Sequence, residues 1–110
     1  WMDADDVAYY AGEFCRAGFR GGLNWYRCLR LNAELLAPWY GAAIRQPSMF
    51  IAGARDAVLR FPASQSQIDR FPSTLPGLRG CHILDGAGHW IQRERAAQVS
   101  SLLLGFLDSL

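Results

Sequence analysis

Apolar residues near the start of the chain recur at helical spacing. Val7, Tyr10, Ala11, Phe14 and Cys15 share one side of a helical repeat. Asp3 precedes them as a cap, and Asp6, three residues on, is a shorter version of the capping-box acid. Gly18 lies just past the last apolar position, where a left-handed C-terminal residue costs least. The turn 18-GFRGG-22 then leads into a second predicted helix over residues 23–37. Trp25, Cys28, Leu29, Leu35 and Leu36 form its stripe, and Pro38 closes it.

The pattern then changes. The run 48-SMFIAG-53 is short, apolar and stopped by glycine, as a strand buried on both faces would be. The segment 54-ARDAVLRFP-62 reads as a loop and 63-ASQSQIDRF-71 as a weak helix. Pro72, Pro76 and Gly77 mark a turn region. A second short strand, 81-CHILD-85, runs into 86-GAGH-89. Last comes an amphipathic helix with Val99, Leu102, Leu103, Phe106, Leu107 and Leu110 on one face. Two strands separated by a helix form a right-handed parallel unit, which makes the fold class α/β. Parallel strands normally lie inside larger sheets, so the pattern predicts the edge of a bigger α/β body preceded by a helical pair.

Composition narrows the function more by exclusion than by indication. At 110 residues, with 51% hydrophobic and 19% charged side chains, the chain is at most one globular domain. The formal net charge of +1 gives no electrostatic case for nucleic acid or acidic partners. No apolar run approaches the roughly 20 residues needed to span a bilayer. No basic start followed by a short apolar core suggests a signal peptide. The helical pattern begins within a few residues of Trp1 and Met2, as in a segment cut from something longer. Cys15, Cys28 and Cys81 are odd in number and widely spaced, which predicts buried free thiols in a reducing, cytoplasmic compartment. With two histidines and no cysteine pair, a structural zinc site has little to build on, and no cofactor is expected.

Ligands of open α/β sheets collect beyond the carboxyl ends of the strands. Both predicted strands end there in a loop with a titratable group, Asp56 after the first and His89 after the second. A carboxylate in one loop can fix the tautomer of an imidazole in the other and leave its second nitrogen basic. The glycines of 86-GAG-88 let the backbone turn sharply before the histidine. On pattern alone, an ordinary surface aspartate and a satisfied loop histidine remain the alternative. His82, inside the second strand, reads as structural. Arg93, Glu94 and Arg95 read as a solvated helix start, with Glu94 favourable near the positive end of the dipole.

Three strings sharpen this reading: 12-GEFCRAGFRGGLNWYR-27, 50-FIAGARDAVL-59 and 85-DGAGHWIQRER-95. In order and spacing they resemble the C-terminal portion of the epoxide hydrolases of the α/β-hydrolase fold. G-F-R-G-x-L-N-W-Y-R is highly specific; G-x-G-H-W-x-Q-x-E serves the broader hydrolase and dehalogenase group. The resemblance implies that residues 1–38 form the end of a helical lid and the helix returning to the core. Residues 39–110 would then be the last two strands of the core with their helices. It also implies that His89 is the general base, Asp56 its orienting acid and Tyr26 one of two lid tyrosines. Trp90, Val58 and Leu59 are expected to line an apolar substrate pocket beside them.

The implied substrates are a small apolar epoxide and water, and the chemistry passes through an ester on a nucleophilic aspartate. No G-x-D-x-G or H-G-x-P string occurs in the chain. The nucleophile, the oxyanion loop and the first lid tyrosine are therefore expected in a preceding N-terminal half, without which the chain should be inactive. Cys28, Leu31, Ala33 and Ala96 depart from the family's usual residues, and none is one of the three implied catalytic positions. A haloalkane or haloacid dehalogenase of the same fold, or a non-catalytic truncated remnant, are the competing readings. Tyr26 within N-W-Y-R argues against the first, because an epoxide oxygen needs a hydrogen-bond donor and a leaving halide needs a halide cradle.

Overall fold

A reciprocal capping box starts the first helix. In the computed structural model, which describes all 110 residues, the Asp3 carboxylate accepts the Asp6 N–H at 2.9 Å. The Asp6 carboxylate accepts the Asp3 N–H at 3.4 Å, and α1 (Ala4–Ala17) follows. Gly18 ends α1 with its N–H on the Phe14 carbonyl, at φ 70° and ψ 177°. That region is open essentially to glycine alone and is not the left-handed helical well anticipated from the sequence.

The following stretch is not a turn. Phe19 stacks on Phe14 with centroids 4.6 Å apart, and the chain re-enters a helix at Arg20. The second predicted helix thus begins at Arg20 instead of Leu23, and it comes in two pieces, α2 (Arg20–Arg27) and α3 (Leu29–Leu36). Gly21 and Gly22 sit in the first turn of α2, away from the helix interior where glycine costs most. Pro38 lies in a single 3-10 turn, Ala37–Trp39, which ends the helical run. None of α1, α2 and α3 contains a buried residue.

The chain divides into two units, Trp1–Tyr40 and Gly41–Leu110. In the second, β1 (Ser48–Gly53) and β2 (Leu78–Leu84) pair in parallel, with Gly53 opposite Leu84. β2 starts earlier than its apolar pattern suggested: Arg79 and Gly80 interrupt hydrophobicity, but Leu78 still pairs with Ser48 and Gly80 with Met49, the register shifting past Arg79. Between the strands come a 3-10 turn (Ala57–Arg60), α4 (Pro62–Asp69) and α5 (Phe71–Thr74). Pro62 and Pro72 occupy first turns, where a missing N–H costs nothing. The Pro72 region is therefore a helix start, not a turn. α6 (Ile91–Glu94) and α7 (Ala96–Asp108) follow β2.

Leu84, Ala87 and Val99 make the core, with Ile51, Ile91 and Leu102 packed against them. The predicted apolar face of α7 is only partly used: Val99 is buried, whereas Leu103, Leu107 and Leu110 are exposed. A two-stranded sheet is too narrow to cover the whole stripe. The cysteine expectation also fails. Cys15, Cys28 and Cys81 are free but exposed, Cys15 on α1 and Cys28 at the junction of α2 and α3, helices that bury nothing. No helix is long and apolar enough to cross a membrane.

Candidate active site

The site forms where the two strands end. After Gly53 the chain turns, with the Asp56 N–H on the Gly53 carbonyl at 3.0 Å. Asp56 then caps the 3-10 turn, its Oδ1 accepting the Val58 N–H at 2.8 Å. Its Oδ2 faces His89 Nδ1 at 2.9 Å. The two loops do meet, and the pairing anticipated from the sequence is present. With the carboxylate ionised, Nδ1 is the donor and Nε2 is left as the basic nitrogen.

The two partners differ in exposure: the Asp56 side chain is 11% exposed and His89 57%. Burial by itself pushes the Asp56 carboxyl up. The Val58 N–H, the His89 hydrogen bond and the imidazolium charge outweigh that effect, so the carboxyl lies below its ordinary range. Asp56 therefore remains an anion wherever a histidine base works.

Close backbone packing fixes the His89 loop. The Arg55 N–H donates to the Ala87 carbonyl at 2.8 Å and the Ala54 N–H to the Leu84 carbonyl at 3.0 Å. Ala87 is fully buried. A Cβ on Gly53 would lie 2.2 Å from the Gly88 carbonyl oxygen and 2.4 Å from that of Ala87. Only glycine at the end of β1 allows the second loop to come this near. Gly86 turns the chain at φ 69°.

Glu94 holds the same loop from the other side, against the expectation from its sequence context. It is not a solvated helix start. Its carboxylate accepts the Gly88 N–H at 2.6 Å through Oε2 and the Trp90 N–H at 3.1 Å through Oε1. An acid following a G-x-G-H turn, just where backbone donors are released, was the available signal.

Of the other anticipated residues, Trp90 stands beside the base, its ring edge-on to the imidazole with centroids 5.2 Å apart. Val58 and Leu59 lie in the 3-10 turn immediately after Asp56, Val58 exposed and Leu59 half-buried. Tyr26 lies on α2 in the other unit, 74% exposed. His82 is half-buried in β2 with its ring folded over Gly80. It lines an open cleft of about 400 Å³ with Met49, Arg79, Leu102 and Phe106. That cleft lies toward the strands' starting end and contains neither Asp56 nor His89.

A histidine–aspartate pair at the carboxyl edge of a parallel sheet is an arrangement that α/β hydrolases use. Comparison with known proteins narrows the class. The chain is 44% identical over 110 residues to epoxide hydrolase A of Mycobacterium tuberculosis, covering 100% of this chain and 33% of that protein. It is 40% identical over 109 residues to epoxide hydrolase 2 of Siraitia grosvenorii, covering 97% of this chain and 34% of the relative. Among solved structures, potato (Solanum tuberosum) epoxide hydrolase I matches with a TM-score of 0.92 at 34% identity, over 100% of this chain and 35% of that one. The Vigna radiata epoxide hydrolase matches with a TM-score of 0.93 at 35% identity, over 100% and 36%. No protein-family model matches the chain. The chain is thus homologous to part of the epoxide hydrolases and has the fold of the matching part of these α/β hydrolases, consistent with a C-terminal portion. It spans about a third of the length of the curated relatives it matches.

Proposed function

We propose that these residues supply the water-activating half of an epoxide hydrolase that opens small apolar epoxides to vicinal diols. The observation that carries this reading is the 2.9 Å contact between Asp56 and His89 in a chain whose relatives are named epoxide hydrolases. In the proposed first step, an aspartate outside these residues attacks an epoxide carbon. The carbon–oxygen bond of the ring breaks, and an alkoxide and an ester form. Tyr26, on the lid formed by residues 1–38, donates a hydrogen bond to the ring oxygen as it gains charge. In the second step His89 Nε2 takes a proton from water, whose oxygen attacks the ester carbonyl carbon. The acyl–oxygen bond breaks, and the departing oxygen takes the proton held by His89. The water's second proton passes to the alkoxide oxygen of the first step, and the aspartate carboxylate and the diol are released. Asp56 holds the imidazole and stabilises its protonated form without itself giving up charge. Trp90, Val58 and Leu59 border the site from the core side, residues 39–110, and contribute to its apolar wall.

Single-turnover kinetics on the intact enzyme that carries these residues separates the steps. His89→Gln should let the ester form and accumulate. Tyr26→Phe should slow ester formation and leave ester hydrolysis largely intact. Equal effects of both substitutions on ester formation would refute this division of labour.

A further inference from the structure

His89 is more than half exposed, and its only recorded hydrogen bond is the one to Asp56. Its imidazole must therefore be aimed largely by the backbone that carries it. That backbone is tied on both sides of the histidine to a single side chain. The Gly88 N–H and the Trp90 N–H, belonging to the residues immediately before and after His89, both donate to Glu94, one to each carboxylate oxygen. The approach is close: a Cβ on Gly88 would lie 3.0 Å from Oε1 and 3.3 Å from Oε2. Glu94 is itself held by the short helix that follows the base, its own N–H bonded to the Trp90 carbonyl at 2.9 Å.

We propose that Glu94 is a positioning residue for His89. Its carboxylate ties together the Ala87–Gly88 and His89–Trp90 peptides, and the clamp keeps Nδ1 on the Asp56 carboxylate and Nε2 directed at the water. Charge-assisted hydrogen bonds to backbone N–H groups are roughly twice as strong as neutral ones. An ionised carboxylate has two oxygens that only accept, so one side chain serves both N–H groups at once. Removing it frees the loop that carries His89 to shift, and a shift of roughly 1 Å at a catalytic group can cost about a hundredfold in rate. This inference rests on the reading of His89 as the base of ester hydrolysis.

The chemistry gives Glu94 a selective signature. Ester formation needs no base from this loop, whereas ester hydrolysis does. Single-turnover measurements on the intact enzyme with Glu94→Gln, Glu94→Ala and His89→Gln test it, each variant being checked for cooperative unfolding. Glu94→Gln is isosteric and keeps one acceptor oxygen; Glu94→Ala keeps none. The expected result is near-normal ester formation with hydrolysis slowed in the order Glu94→Gln, then Glu94→Ala, the latter by roughly 10–100-fold. Ester should build up in proportion. A purely structural Glu94 would slow both steps alike or leave both unchanged in the folded variants, and either outcome overturns the proposal. Failure of the isosteric Glu94→Gln variant to fold also counts against it. Ester accumulation in His89→Gln without slowed hydrolysis in Glu94→Ala would sink the clamp alone. Absence of ester in His89→Gln would instead sink the reading of His89 as the base.

Discussion

Every buried residue of the chain lies in the Gly41–Leu110 unit, and none lies in Trp1–Tyr40. Both units have good local structure. The first has a complete capping box, and its helices carry apolar side chains at regular spacing. Regular helices without burial are marginal, however, because helix stability in proteins comes mainly from packing an apolar face. The second unit has fewer helical residues in long runs but holds its loops by backbone contacts that tolerate no extra atom. The contrast separates two ways in which a sequence specifies a site. Asp56 and His89 are fixed by their own unit; Tyr26, proposed to act with them, lies on a helix whose apolar neighbours, Trp25 and Leu29 among them, are exposed.

Glycine substitutions should show this difference most sharply. Gly53→Val forces a side chain into the Gly88 and Ala87 backbone carbonyls, which cannot swing aside as a side chain could. It should cost about 3 kcal/mol or more and abolish ester hydrolysis, since the His89 loop must move. Gly22→Ala, with nothing within 4 Å of its added Cβ, should change stability by no more than about 1 kcal/mol. Denaturant midpoints of the two variants in the intact enzyme make the comparison, and similar shifts would erase it.

A smaller effect separates the buried and exposed parts of α7. Val99→Ala removes two methyl-sized groups from the core and should cost about 1–2 kcal/mol. Leu104→Ala, at an exposed position, should cost less than half of that. A larger loss at Leu104, measured by thermal unfolding of the intact enzyme, would show that another part of the fold packs there.

The smallest expected effect is electrostatic and belongs to the second unit alone. The folded Asp56 carboxyl lies below the ordinary aspartate value of 3.8. Its hydrogen bonds therefore contribute stability above that value, and the contribution is lost as the pH falls through the folded one. Titration followed by carbon NMR of the Asp56 carboxyl should give a midpoint below 3.8. A midpoint above it would mean that desolvation prevails over the Val58 and His89 bonds.

The legible parts of the molecule were those set by short-range pattern. Asp3 and Asp6 announced a helix start, and the apolar runs around Phe50 and Ile83 announced two strands. Asp56 and His89 could be paired because parallel strands bring their carboxyl-end loops side by side. What escaped depended on packing. Phe19 stacking on Phe14 turns an apparent loop into a helix start, and the reach of the Glu94 side chain appears only once the Gly88 turn exists. Arg79 and Gly80 hid the beginning of β2, since ladder hydrogen bonds do not require hydrophobic side chains. The exposed thiols escaped for the opposite reason: cysteine's usual burial depends on a surrounding core, which these positions lack here.

The central claim is that these 110 residues provide the base and orienting acid for an ester formed elsewhere in the fold. Its most direct test is a chimera in which they replace the matching third of epoxide hydrolase A of Mycobacterium tuberculosis. Intact-protein mass after mixing with an epoxide reads the outcome, for the chimera and for the same chimera with His89→Gln. Epoxide turnover without stable adduct is expected in the first, and one retained substrate mass per enzyme in the second. A folded chimera that neither turns over epoxide nor retains it would contradict the account, as would a His89→Gln chimera that turns over normally.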